Sequence, residues 1–170
     1  MNKENFSLTR KFNAPKQLVF GAFASADALA KWWGPAGTTI TVLKLDFKPK
    51  GIFHYKMEGM GKTMYGMFRY TKIVEPDMIE WINSFSNEQA EICAAPFDIK
   101  FPNEILNHLT LEEENGVTTL QLTGHPVNAS QEEENTYYSL FESMQNGFGG
   151  TFNQLEEYLD QVKNNQHEKV

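Results

Sequence analysis

Few side chains in this sequence have the type and spacing for catalysis. The four histidines, His54, His108, His125 and His167, fall at separations that match no metal-ligand motif, and Cys93 has no second cysteine beside it. No metal site and no cofactor are therefore expected. Gly147-Phe148-Gly149-Gly150 lies within a helical pattern, whereas a phosphate loop joins a strand to a helix. No nucleophile elbow and no serine–histidine arrangement is visible, so no catalytic residue is assigned. Two amides and one carboxylate stand out instead. Asn83 and Asn107 sit in apolar alternating runs where a buried amide would need partners, and in an apolar cavity such groups orient a ligand. Glu104 is the carboxylate nearest to them. Because an isolated buried carboxylate is costly, it is expected in a salt bridge or as an exposed loop charge.

These residues are carried on a series of strands. Phe6, Leu8, Arg10 and Phe12 alternate along the first. Pro15 opens a short helix with Leu18, Val19, Ala22 and Phe23 on one face. Ser25 caps a second, which places Leu29, Trp32 and Trp33 inward and ends at Gly34-Pro35. Strand signals follow over Thr38–Phe47, Phe53–Glu58, Met64–Val74, Met78–Phe85, Ile105–Glu113 and Val117–Thr123. They are separated by the turns Pro49-Lys50-Gly51, Gly59-Met60-Gly61, Glu75-Pro76-Asp77 and Asn115-Gly116. Short turns between consecutive strands imply a mostly antiparallel sheet.

Ser130 caps a final helix whose first turn carries Glu132, Glu133 and Glu134. Tyr137, Leu140, Phe141, Met144, Phe148, Phe152, Leu155, Leu159 and Val162 then form one apolar stripe, expected on a single helix of roughly 45–50 Å. Gly147, Gly149 and Gly150 interrupt it, to permit a bend, a close approach by the short helices or room for a ligand. A one-faced sheet and a one-striped helix must cover each other. The expected architecture is α+β, a curved antiparallel sheet around a long C-terminal helix. The whole chain, 1–170, reads as one domain, with a core over 5–162 and a frayed polar tail over 163–170.

Alternation also selects a row of side chains facing that helix: Tyr55 and Met57, Phe68, Trp81, Asn83 and Phe85, and Asn107. With Trp33, Met144 and Phe148 they make the candidate ligand-binding set. Most of these side chains would serve equally as ordinary core. His54 alternates out of this row and is expected in solvent, as is His108. The aperiodic stretch from Ser86 to Asn103 is long enough to lie over an opening, with Phe97 and Phe101 to plug it, and reads equally well as a packed surface loop pinned by its aromatics.

Composition limits the partners. A net charge of −7 without a Lys/Arg cluster argues against nucleic acid and anionic membrane, and no apolar run is long enough to span a bilayer. One cysteine and no signal-peptide core within Met1–Arg10 imply the cytoplasm.

The order of elements resembles the helix-grip fold of the birch-pollen-allergen and START-domain (SRPBCC) superfamily. Arg10-Lys11-Phe12-Asn13-Ala14-Pro15, Val19-Phe20 and Trp32-Trp33-Gly34-Pro35 resemble the opening of the bacterial homologues of the heat-shock-protein ATPase activator. Phe101-Pro102-Asn103-Glu104 resembles that group's tryptophan-proline-x-glutamate segment, with Phe for Trp. Ser143-Met144-Gln145-Asn146-Gly147-Phe148, followed by Leu155, resembles its last-helix signature. The resemblance implies a cavity between sheet and long helix that takes lipids, sterols or other apolar molecules, and it carries over no catalytic residues. The expectation is a protein that binds an apolar or amphipathic small molecule. The alternatives are a cyclase- or hydrolase-like enzyme using polar groups of the same cavity, or a co-chaperone-like interaction module. The chain has no room for the separate N-terminal domain of the eukaryotic activator, so chaperone binding is not expected; a homodimer is compatible with the sequence.

Overall fold

The computed structural model describes residues 5–96 and 98–168. Its elements run β1 (Phe6–Phe12), α1 (Lys16–Phe23), α2 (Ala26–Trp32), β2 (Thr39–Leu45), β3 (Ile52–Gly59), β4 (Lys62–Val74), β5 (Met78–Ser86), β6 (Ile92–Cys93), β7 (Glu104–Glu114), β8 (Val117–Val127), α3 (Gln131–Ser139) and α4 (Phe141–Glu168). The strands form one antiparallel sheet in the order β1-β8-β7-β5-β4-β3-β2, with the two-residue β6 alongside β5. This is the helix-grip α+β arrangement.

Local chemistry accounts for the main boundaries. Asn115 and Gly116 both take positive φ, 53° and 79°, so the β7–β8 hairpin turns with the twist of its strands. Ser25 Oγ accepts from the Ala28 N–H at the start of α2. Ser130 and Glu133 make a reciprocal capping box at the start of α3. On β7, Ile105, Asn107, Leu109 and Leu111 are buried while the residues between them are not, a period of two that faces one side of the sheet toward the helices.

That buried face meets α4. Phe152 is 1% exposed, edge-on to Phe12 at 6.2 Å and stacked on Phe148 at 5.8 Å. Leu155 and Leu159, one and two turns further on, are buried on the same side. Trp32 is fully buried against Phe23, and its indole N–H donates to the Ala22 carbonyl at 2.9 Å.

The expected single last helix is two. In an unbroken helix the Leu140 N–H would bond to the Thr136 carbonyl four residues back. Here the Ser139 hydroxyl takes that carbonyl at 2.7 Å, and the Leu140 N–H donates to Tyr137 O at 3.1 Å. A serine back-bonding to its own helix competes with the ladder in this way. The break sits among Tyr137, Tyr138 and Phe141, whose rings lie 5.4–5.6 Å apart. Of the tail expected over 163–170, residues 163–168 belong to α4, and 169–170 lie outside the described residues. The glycines of α4 do not serve a close approach, because a Cβ at Gly147, Gly149 or Gly150 would meet nothing within 4 Å.

Candidate apolar ligand site

Between the inner face of the sheet and the first half of α4 the surfaces diverge and leave a cavity of about 350 Å³. Its walls come from five places in the chain. β3 supplies Tyr55 and Met57, β5 supplies Trp81, Asn83 and Phe85, and β7 supplies Asn107. The end of α2 supplies Trp33 with Gly34 and Pro35, and α4 supplies Met144, Gly147, Phe148 and Thr151. Strand residues two apart reach the same face, and neighbouring strands bring them side by side: Trp81 lies opposite Asn107 in the β5–β7 register.

Two arrangements shape the walls. The Tyr55 ring lies over β4, where Gly66 has no side chain to oppose it; a Cβ at Gly66 would fall 2.3 Å from the Tyr55 hydroxyl oxygen. The Trp33-Gly34-Pro35 corner is tied to α4 by the Gly34 carbonyl. It accepts from Thr151 Oγ1 at 3.1 Å and from Gln154 Nε2 at 2.7 Å, and the Gln154 amide also reaches Trp32 O at 3.1 Å. These bonds satisfy carbonyls left over at the end of α2 and hold Trp33 at the cavity.

Electrostatically the site is neutral. Among the described residues, none that line it is Asp, Glu, His, Lys, Arg or Cys, and Tyr55 is the one lining side chain that titrates. Burial pushes its hydroxyl up to about 12, against a smaller opposing pull from a hydrogen bond with Trp33, so it stays protonated at neutral pH. Trp81 is 2% exposed, and its Nε1 has no hydrogen-bond partner among the described residues; the same holds for Asn83 Oδ1.

The model of one protein family, described as Activator of Hsp90 ATPase homolog 1-like protein, matches residues 13–160. The chain belongs to that family. Solved structures share its fold. Protein Ms6760 from Mycobacterium smegmatis is 25% identical with a TM-score of 0.72, over 89% of this chain and 87% of that one. A protein from Staphylococcus epidermidis, solved in solution by NMR, is 24% identical with a TM-score of 0.76, over 95% and 93%. An AHSA1 protein from Silicibacter pomeroyi is 17% identical with a TM-score of 0.70, over 93% and 99%. No curated protein matches.

In this member of the Activator of Hsp90 ATPase homolog 1-like family, nine of the ten sequence-selected residues share the cavity wall: Trp33, Tyr55, Met57, Trp81, Asn83, Phe85, Asn107, Met144 and Phe148. Phe68 does not. It is buried behind the wall, stacked on Trp81 at 4.7 Å and edge-on to Trp33 at 5.0 Å, and so holds both rings in place. Sequence reasoning missed Thr151 and Gln154, whose partners lie about 120 residues away. It also passed over Gly66, although a glycine inside a strand is a signal of close approach.

Other expected features lie elsewhere. No described residue of the Ser86–Asn103 segment lines the cavity. Instead Phe101 packs toward Tyr137 at 6.2 Å, and Phe97 lies outside the described residues. A larger surface groove of about 610 Å³ runs between this segment and α3, but Asp98, Lys100, Glu132 and Glu133 line it, so its wall is charged rather than apolar. His54, expected in solvent, is 5% exposed. It does point to the outer face of the sheet, but the chain after β5 covers it: Nε2 lies 3.1 Å from Asn87 O and the ring stacks near Tyr65. His108 pairs with Glu80 at 3.0 Å, and Glu104 pairs with Arg69, both on that outer face. The His167 side chain lies outside the described residues. Among the described residues no three or more His, Cys, Asp or Glu side chains are grouped to hold a metal ion, and no helix is long and apolar enough to cross a membrane.

Proposed function

We propose that this family member is a cytoplasmic protein that binds one apolar or amphipathic small molecule in the cavity between sheet and α4. The observation that carries this reading is the wall itself: aromatic and methionine side chains from four parts of the chain converge on about 350 Å³, with no ionisable group among the described residues except a protonated tyrosine. That volume is at the lower end of the roughly 300–1,000 Å³ of small-molecule sites, and an apolar wall with a few fixed polar groups is their usual chemistry. Acid–base catalysis needs a group that exchanges protons near working pH, and a phenol at about 12 does not. The wall therefore supports binding over the cyclase- or hydrolase-like alternative.

Trp33 and Trp81 report occupancy directly. Titration with neutral naphthalene probes should change tryptophan fluorescence saturably, with one site per chain, and native mass spectrometry of the purified protein should detect co-purified small molecules. Asn83→Trp should fill the cavity and weaken binding while the circular dichroism spectrum and melting transition persist. Absence of saturable binding across a panel of apolar probes would refute the proposal.

A further inference from the structure

Building on the ligand-binding reading above, we propose that the cavity is an aromatic cage for a tertiary or quaternary ammonium group, so that its ligand is a small amphiphile with a weakly hydrated cationic end. Carboxylate, sulfonate and phosphate ends are selected against.

The ring planes carry the argument. Trp33, Tyr55 and Trp81 line the cavity from the end of α2, from β3 and from β5. Trp33 and Tyr55 lie 6.3 Å apart at 78°. Both also stand almost square to the buried Phe68, at 90° and 89°. Phe68 is stacked on Trp81 at 15°, so Trp33 and Tyr55 are close to perpendicular to Trp81 as well. Three mutually perpendicular rings around one space make the corner of a box. Phe68 covers one face of Trp81 from behind the wall, which leaves the opposite face for a ligand. Phe148 on α4 adds a fourth ring, and Met57 and Met144 add polarisable sulfur. Edge-to-face pairs are common in cores. Here the corner they build fronts an open volume of about 350 Å³ instead of a further side chain. Ring faces carry negative charge density, so a cation in such a corner is attracted by several rings at once, most strongly where water is excluded.

The surrounding charges agree with a cation. Among the described residues no lysine, arginine or histidine lines the cavity, so nothing there repels a cation or neutralises an anion. Arg10, on β1, is engaged by α4 instead: its guanidinium meets Asn153 Oδ1 at 2.7 Å, Glu156 at 3.2 Å and Gly149 O at 3.5 Å. Arg69 is paired with Glu104 on the outer face of the sheet. The net charge of −7 raises the concentration of cations around the molecule. Carbon substituents on the nitrogen decide which cation fits. They spread its charge and leave few N–H donors, so it sheds less hydration on entry than a primary ammonium, which would need acceptors that this wall does not offer.

Three probes of nearly one shape separate these terms: 4-(trimethylammonio)phenol, 4-tert-butylphenol and 4-hydroxybenzenesulfonate. A merely apolar cavity favours the neutral tert-butyl compound, which has less water to lose. The cage reverses that order. Isothermal titration at pH 7 in physiological salt should show the ammonium compound binding one per chain, at least about tenfold tighter than the tert-butyl compound, with the sulfonate weakest. Competition with the neutral naphthalene probe should place it in the cavity and not on the acidic surface. Two changes then weaken the rings. Trp33→Leu removes one of them at a half-buried position, with the fold checked by circular dichroism. Uniform replacement of tryptophan by 5-fluorotryptophan withdraws electrons from Trp33 and Trp81 and nearly keeps their shape. Each should lower the preference for ammonium over tert-butyl by about threefold or more. Dihexanoylphosphocholine identifies the source. If it binds as tightly as the ammonium phenol, the cage takes a lipid head group; if it does not compete, the ligand is a free ammonium amphiphile. Equal or tighter binding of 4-tert-butylphenol or of the sulfonate, an ammonium compound that fails to compete with the naphthalene probe, or a preference untouched by both ring changes overturns the cage and leaves the cavity reading standing. Failure of all three phenols and of the naphthalene probe to bind overturns both.

Discussion

The three glycines of α4 give the sharpest separation of a structural role from a site role. Gly147, Gly149 and Gly150 lie within the helix, with no positive φ, and a Cβ at any of them would meet nothing within 4 Å. Alanine therefore fits without strain. A glycine in a helix interior costs roughly 0.5–1 kcal/mol relative to alanine, largely through the unfolded chain's entropy. Each substitution should add about that much, or about 1–4 °C of melting temperature in a domain of this size. The three Cβ positions have no contact in common, so the triple variant should approach the sum. Gly147 alone of the three lines the cavity. All three single variants should thus raise the urea midpoint at constant m-value, but only Gly147→Ala should also weaken the binding of a neutral naphthalene probe. A loss of stability at Gly149 or Gly150 would refute the open surroundings of the helix. Equal weakening of binding by all three would show that helix flexibility, rather than cavity shape, controls ligand entry.

Three other outcomes test the packing. Phe152→Ala, in the centre of the α4 stripe and 1% exposed, should cost about 3–5 kcal/mol in urea melts; a loss below about 1 kcal/mol would mean that its face of the helix is not the core face. Gly66→Ala places a methyl 2.3 Å from the Tyr55 hydroxyl and should destabilise by about 1–3 kcal/mol, with a changed tryptophan spectrum as Tyr55 presses on Trp33. Stability should be complete below pH 10 and fall above it, because the folded protein holds the Tyr55 proton to about 12 while the unfolded chain releases it near 10. At about 1.4 kcal/mol per pH unit this group contributes a loss on the order of 2–3 kcal/mol by pH 12. Buried Tyr70 and Tyr137 act in the same direction. Urea midpoints at pH 9 and 11 measure the fall, and Tyr55→Phe should flatten it.

The alternation of Trp81, Asn83 and Phe85, and of Asn107 with Leu109, determined by itself which side chains face the long helix, because a strand has only two faces and the apolar set occupies one. The same logic read Asn115-Gly116 as a hairpin and Ser130 as a cap, since both are satisfied by atoms within a few residues. The motifs of the first strand, the Trp32-Trp33 corner and the last helix likewise pointed to the family before any coordinates did. Facing inward does not set depth, however. Phe68 has the right parity and still lies behind the cavity, because two tryptophans from other elements close over it. His54 has the outward parity and is still buried, because the chain after β5 folds back across it. The break at Leu140 depends on which donor wins the Thr136 carbonyl, and no proline or glycine announces it. The Gly34 anchor joins residues about 120 positions apart. Whether Trp81 Nε1 and Asn83 Oδ1 find partners is equally a matter of what the other strands and α4 bring near them. Periodicity reports the direction of a side chain relative to its own backbone, and only the packing of distant segments decides what it meets there.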